Sequence, residues 1–123
     1  MSPGIQLQKE TSLGGIDLSK AKAWITYNMT NDTILSSHNI SSVVALATGV
    51  RHVYFEKPFK DDKYVSVGTT DTLGSNTMTT KWVNSGKYNN KIEIETRRST
   101  DGVLSNTIFS YVFFGELKDE GGE

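Results

Sequence analysis

The chain contains no cysteine. That excludes disulfide staples, thiolate nucleophiles and the usual structural zinc sites. It has two histidines; His38 and His52 stand too far apart for any common metal-ligand spacing, so no metal and no cofactor is expected. Neither sign of charge dominates: 13 Lys and Arg face 14 Asp and Glu, for a net charge of −1. The basic residues are scattered, with Arg97-Arg98 as the one adjacent pair. Nothing steers the protein to nucleic acid or an anionic membrane surface. No run is apolar and long enough to cross a bilayer, and Met1–Glu10 lacks the apolar core of a secretion signal, so no membrane insertion is expected. The sequons at Asn28, Asn31 and Asn39 are read as unmodified for the same reason. There is no G-x-S-x-G elbow and no glycine-rich phosphate loop. No helix-period segment exceeds about two turns, which argues against an α/β fold.

What the sequence holds in quantity is period-two alternation. Trp24, Thr26 and Asn28 alternate with Ala23, Ile25 and Tyr27; Ile92 and Ile94 alternate with Lys91, Glu93 and Glu95; Phe109, Tyr111 and Phe113 alternate with Ile108, Val112 and Phe114. Pro58 marks a strand end because it removes a ladder donor. Asn31-Asp32, Asn84–Lys87 and Asp101-Gly102 are turn signals. About seven or eight short strands with turns about every 8–12 residues predict an all-β domain, a β-sandwich or jelly-roll-like barrel of antiparallel strands. With 123 residues one such domain buries about two-thirds of its unfolded surface. The expected boundaries are an irregular N-terminal arm over 1–20, the sandwich over 21–116 and a mobile acidic tail over 117–123.

Two segments carry a family resemblance. Lys22-Ala23-Trp24-Ile25-Thr26-Tyr27-Asn28 is followed by Asn39-Ile40-Ser41-Ser42-Val43, then Val53-Tyr54-Phe55, Pro58-Phe59 and Asp62-Lys63-Tyr64-Val65. This resembles small all-β virion proteins of tailed bacteriophages with a K-A-W-V-N-F, N-V-S-S-I and D-x-x-Y-x-V signature. The resemblance covers roughly the middle third of the chain, and the signature contains no catalytic motif. It implies a non-enzymatic structural protein of the virion, made in the host cytoplasm. The expected role is a tail- or tail-fibre-associated module in assembly and host-surface contact; a capsid decoration or cement protein is the alternative. Where relatives carry a D-N-G-T-G-D turn, this chain has Val44–Gly49, which is expected to form a longer, apolar connection. Trp24, in the motif slot, is assigned to the core.

The expected partners are other virion proteins, further copies of the chain (a trimer) and a host-surface glycan. The last strand is apolar on both faces, whereas a surface strand should be apolar on one. Ile108, Val112 and Phe114 are therefore expected at a subunit interface, together with Ile5, Leu7 and Leu13 of the arm. Trp82 and Tyr88, on either side of the Asn84–Lys87 turn, are candidates for stacking on a glycan. The loops 29–33, 70–76 and 84–90 are expected to point to the host. Glu93 and Glu95 share a strand face about 7 Å apart, a spacing open to two-carboxylate hydrolysis. Lys91 and Arg97 flank them as on an ordinary solvated sheet, and no catalytic residue is assigned.

Overall fold

The computed structural model describes residues 12–13, 16–17, 19–71 and 78–120. Eight strands form two four-stranded antiparallel sheets packed face to face, a β-sandwich. The front sheet has the order β4-β3-β10-β7, from β3 (Ala23–Asn28), β4 (Thr33–His38), β7 (Val65–Thr70) and β10 (Ile108–Phe114). The back sheet has the order β5-β6-β9-β8, from β5 (Ile40–Ala47), β6 (Val50–Phe55), β8 (Met78–Lys87) and β9 (Lys91–Arg98). Ahead of them β1 (Ser12–Leu13) pairs with β2 (Ile16–Asp17), so part of the segment expected to be irregular forms a small antiparallel ladder.

The alternation read from the sequence decides the interior. Ala23, Ile25 and Tyr27 on β3, Phe109, Tyr111 and Phe113 on β10, Val53 and Phe55 on β6, and Ile92 and Ile94 on β9 are all buried and form one cluster. Phe59 and Tyr64, from the β6–β7 connection, cap it with rings stacked at 4.3 Å. Tyr111 lies across Gly68 of β7, where a Cβ would come within 2.3 Å of its ring; the missing side chain makes room for the phenol. Trp24 is not in the core. It shares its face with Thr26 and Asn28, whose burial would strand polar groups, so the Ala23–Ile25–Tyr27 face turns inward and Trp24 is left 41% exposed.

Two turns also depart from expectation. Thr48-Gly49 closes a tight β5–β6 hairpin, because Ala47 pairs with Val50. Gly49 has φ +74°, and a Cβ there would meet the Thr96 carbonyl at 2.7 Å, so only glycine makes this turn without strain. Asn84–Lys87 is not the β8–β9 turn. Trp82 pairs with Ile94 and Lys87 with Ile92, so residues 83–86 bulge opposite Glu93 and the chain reverses at 88–90.

Residues 117–120 of the tail expected to be mobile are tied down, and 121–123 lie outside the described residues. Leu117 bridges Phe59, Lys118 N–H donates to the Pro58 carbonyl, and Lys22 Nζ meets Glu120 Oε2 at 2.6 Å.

At the opposite pole of the sandwich Arg51 is buried. Its guanidinium donates to Asp32 Oδ1 at 3.0 Å and to the carbonyls of Met29, Ala47 and Val50. Asp32, at φ 53°, also accepts from the Tyr27 hydroxyl at 2.8 Å.

Burial holds three phenols protonated. Desolvation raises the pKa of Tyr27, Tyr64 and Tyr111 above the ordinary 10.0. Folded values above unfolded ones give a contribution that is full below pH 10.0 and is lost as pH rises through the folded values. Tyrosinate absorbance from these three is therefore expected to appear together with loss of the fold, above pH 10.0. Their titration with the near-ultraviolet dichroism intact would contradict this.

Candidate docking surface

The outer face of the front sheet is built in rows across its strands. Phe114 pairs with Val65; Val67, Val112, Trp24 and His38 follow one another across all four strands; Thr69, Ser110, Thr26 and Ser36 make the next row. The first two rows are apolar apart from His38, whose ring stacks on Trp24 at 4.7 Å and an interplanar angle of 25°. The third is a row of hydroxyls, in which Thr26 Oγ1 and Ser110 Oγ hydrogen-bond at 2.9 Å. Val112 and Phe114 are half-buried between their neighbours, while Val65 and Val67 on the edge strand are 57% and 58% exposed. One end of this face is thus a contiguous apolar patch bounded by hydroxyls.

Of the interface residues read from the sequence, Val112 and Phe114 lie in this patch. Ile108 lies on the same face opposite Asn28, beyond the hydroxyl row. Ile5 and Leu7 fall outside the described residues, and Leu13 is known as a strand position in β1. Val65, Val67 and Trp24 were missed. The Val65-Ser66-Val67-Gly68 alternation carried the signal, because Gly68 opposite the buried Tyr111 marks the even positions as the inner set.

The structure separates the two aromatic residues assigned to glycan contact. Trp82 faces inward and packs against the core. Lys87 Nζ sits 4.5 Å from the Trp82 ring and 4.5 Å from the Tyr64 ring, and donates to the Tyr64 carbonyl at 2.5 Å. Desolvation there pulls the Lys87 amine below its ordinary pKa. An ammonium already covers one indole face, and the cleft beside it, lined by Asp62, Lys63, Trp82 and Lys87 with a volume of about 360 Å³, is narrowed by that side chain. Tyr88 stands exposed at the chain reversal, with Lys91 Nζ 5.2 Å from its ring and 5.5 Å from that of Tyr54. Two of the three expected loops lie at opposite poles, and 72–76 of the third fall outside the described residues. Residues 29–33 lie at the Arg51 pole, where Met29 N–H donates to Thr107, whereas 88–90 lie at the Lys22 pole, where Asn89 and Asn90 accept from Phe59 and Phe55.

On the outer face of the back sheet the charged side chains of β6 and β9 are internally paired. His52 Nε2 and Glu93 Oε1 are 2.9 Å apart, and Glu95 Oε1 accepts from Arg97 at 3.2 Å. Both carboxylates therefore have a partner on their own face. Among the described residues no group of three or more His, Asp or Glu is placed to hold a metal ion. No protein-family model, curated protein or solved structure matches the chain.

Proposed function

We propose that this protein is a structural component of a tailed-bacteriophage particle, seated on the tail or its fibres, with the apolar end of its front sheet docked on neighbouring virion proteins. The observation that carries this reading is the pair Val65 and Val67, more than half exposed beside half-buried Val112 and Phe114. Contiguous apolar patches on soluble proteins mark interaction surfaces, and covering one yields about 25 cal/mol per Å² of apolar area. The resemblance of the Lys22–Asn28 and Asn39–Val43 segments to phage virion proteins supplies the setting. The mechanism is geometric: a rigid sandwich presents the apolar end of its front sheet inward to the particle and its back sheet outward. Repetition of the module multiplies whatever weak contacts the outward side makes with the host.

Immunogold labelling of intact particles, with antibodies against the purified protein, tests the location. Gold on the tail or its fibres is expected. Gold over the head makes this a capsid decoration protein instead, and unlabelled particles overturn the virion reading. The docking face has its own test. Val67→Lys places a charge on an exposed position and is expected to change stability by no more than about 0.5 kcal/mol, while abolishing incorporation into particles. Normal incorporation of the variant would remove the front sheet from the role.

A further inference from the structure

The opposite side of the sandwich carries a second surface, made of strand edge rather than sheet face. β4 and β5 are the outermost strands of the two sheets, and the chain passes directly from one to the other through Asn39, at φ 58°. Among the described residues β4 pairs with β3 alone and β5 with β6 alone. Each therefore presents a row of backbone N–H and C=O groups outward, and the group that satisfies such a row is another strand. The other two edges are latched together. Thr70 Oγ1 donates to the Met78 carbonyl, joining β7 to β8, and Lys87 reaches across to Tyr64.

Natural edges are usually guarded by charge, proline or bulges. Thr33–Ala47 contains no Asp, Glu, Lys, Arg or Pro, although charged residues make up 22% of the chain. Ile40 and Val43 pack against the core, but four other apolar side chains are exposed instead: Ile34 and Leu35 on β4, and Val44 and Leu46 on β5 at 44% and 52%. Register shifts fall near the two ends of β5, between Ile40 and Ser42 and between Ala45 and Ala47, leaving Ser42–Ala45 regularly paired on its inner side.

We infer that β5 pairs antiparallel with β5 of a second copy of this chain. A two-fold axis through Ala45 joins the two back sheets into one continuous sheet and sets Val44 of one copy opposite Leu46 of the other. The absence of charge selects the occupant. An uncharged strand meets its own copy without like-charge repulsion, and it offers nothing to attract a charged foreign strand. Self-pairing of this kind is isologous and closes at two copies, in place of the trimer expected from the sequence. It is independent of where in a particle the protein sits.

Sedimentation velocity of the purified full chain over a range of concentrations tests it. The wild type is expected to sediment at twice the chain mass of 13.6 kDa. Val44→Lys and Leu46→Lys each bring like charges together across the axis and are expected to halve that mass with circular dichroism unchanged. Val67→Lys, on the front sheet, is expected to leave the dimer intact. Leu46 sits at a bulge and is the more exposed of the two positions, so its variant keeps the test open if Val44→Lys misfolds. A wild-type mass of one or three chains overturns the inference. So does a folded Leu46→Lys that remains dimeric, and so does dissociation by Val67→Lys with dimers retained in the edge variants.

Discussion

Phe113→Ala is expected to lower the stability of the protein by about 3–5 kcal/mol, and Phe114→Ala by only about 1 kcal/mol. The two residues are adjacent and chemically identical, but the strand pleat sends them to opposite faces. Phe113 is fully buried at the meeting point of four rings, 5.0 Å from Phe55 at 80°, 6.1 Å from Tyr64 and 6.0 Å from Tyr111. Removing its ring forfeits transfer energy and leaves a cavity whose walls, fixed by edge-to-face packing on several strands, relax only in part. Phe114 lies half-buried on the outer face beside Val65 and loses surface contact alone. Urea denaturation measures both. For a domain of this size the Phe113→Ala loss corresponds to about 15 °C in midpoint temperature. Equal losses from the two variants would mean that the front sheet is covered on both sides in solution.

Arg51→Met is expected to cost about 3 kcal/mol, close to 10 °C in midpoint temperature. The methionine fills the space of the aliphatic stem. It offers no donor, however, to the carbonyls of Met29, Ala47 and Val50, which belong to two separate turns. Loss of charge-assisted bonds to groups away from water outweighs the gain from burying a neutral side chain. Arg51→Lys restores the charge without the planar fork and is expected to recover only part of the loss. Asp32→Asn is expected to be milder, because that side chain is half exposed and water replaces the lost partner. The Tyr27 hydroxyl, followed by Arg51, holds the Asp32 carboxyl below its ordinary 3.8. Its contribution is thus present above pH 3.8 and is lost as pH falls through the lower, folded value. An unchanged denaturation midpoint for Arg51→Met would show that this buried guanidinium does not hold the pole together.

The sandwich was legible because alternation is a local property. Residues 23–28, 91–98 and 108–114 each announce a strand, and the inner set of 91–98 was separable by polarity alone, whereas 108–114 is apolar on both faces. Trp24 was misplaced because its motif slot was weighed above its company; Thr26 and Asn28 on its face already pointed outward. The Val44–Ala47 stretch hid its hairpin because a bulge interrupts the period there, and the bulge at 83–86 displaced the β8–β9 turn in the same way. Arg51 could not have been found. In sequence it is one polar residue in a strand, and its burial depends on carbonyls contributed by turns up to 22 positions away. The outer face was half legible. Val112 and Phe114 were read as an interface, but their neighbours Val65 and Val67 come from a strand more than 40 positions earlier, which register alone brings alongside.

The ion pair between Lys22 and Glu120 has a mechanical meaning. It places the point where the chain joins the sandwich beside the point where it leaves, with Lys22 N–H also bonded to the Phe113 carbonyl. Tension pulling these two points apart first strips the Leu117–Glu120 clip. It then loads β3 against β10 from their shared end, where Ala23 faces Phe113, and opens the ladder like a zipper, one rung at a time. Strands pulled lengthwise past each other would share the load over every rung. This sandwich would therefore yield at low force when tugged by its own ends, and is suited to be held through its surfaces rather than strung in line as a load-bearing link.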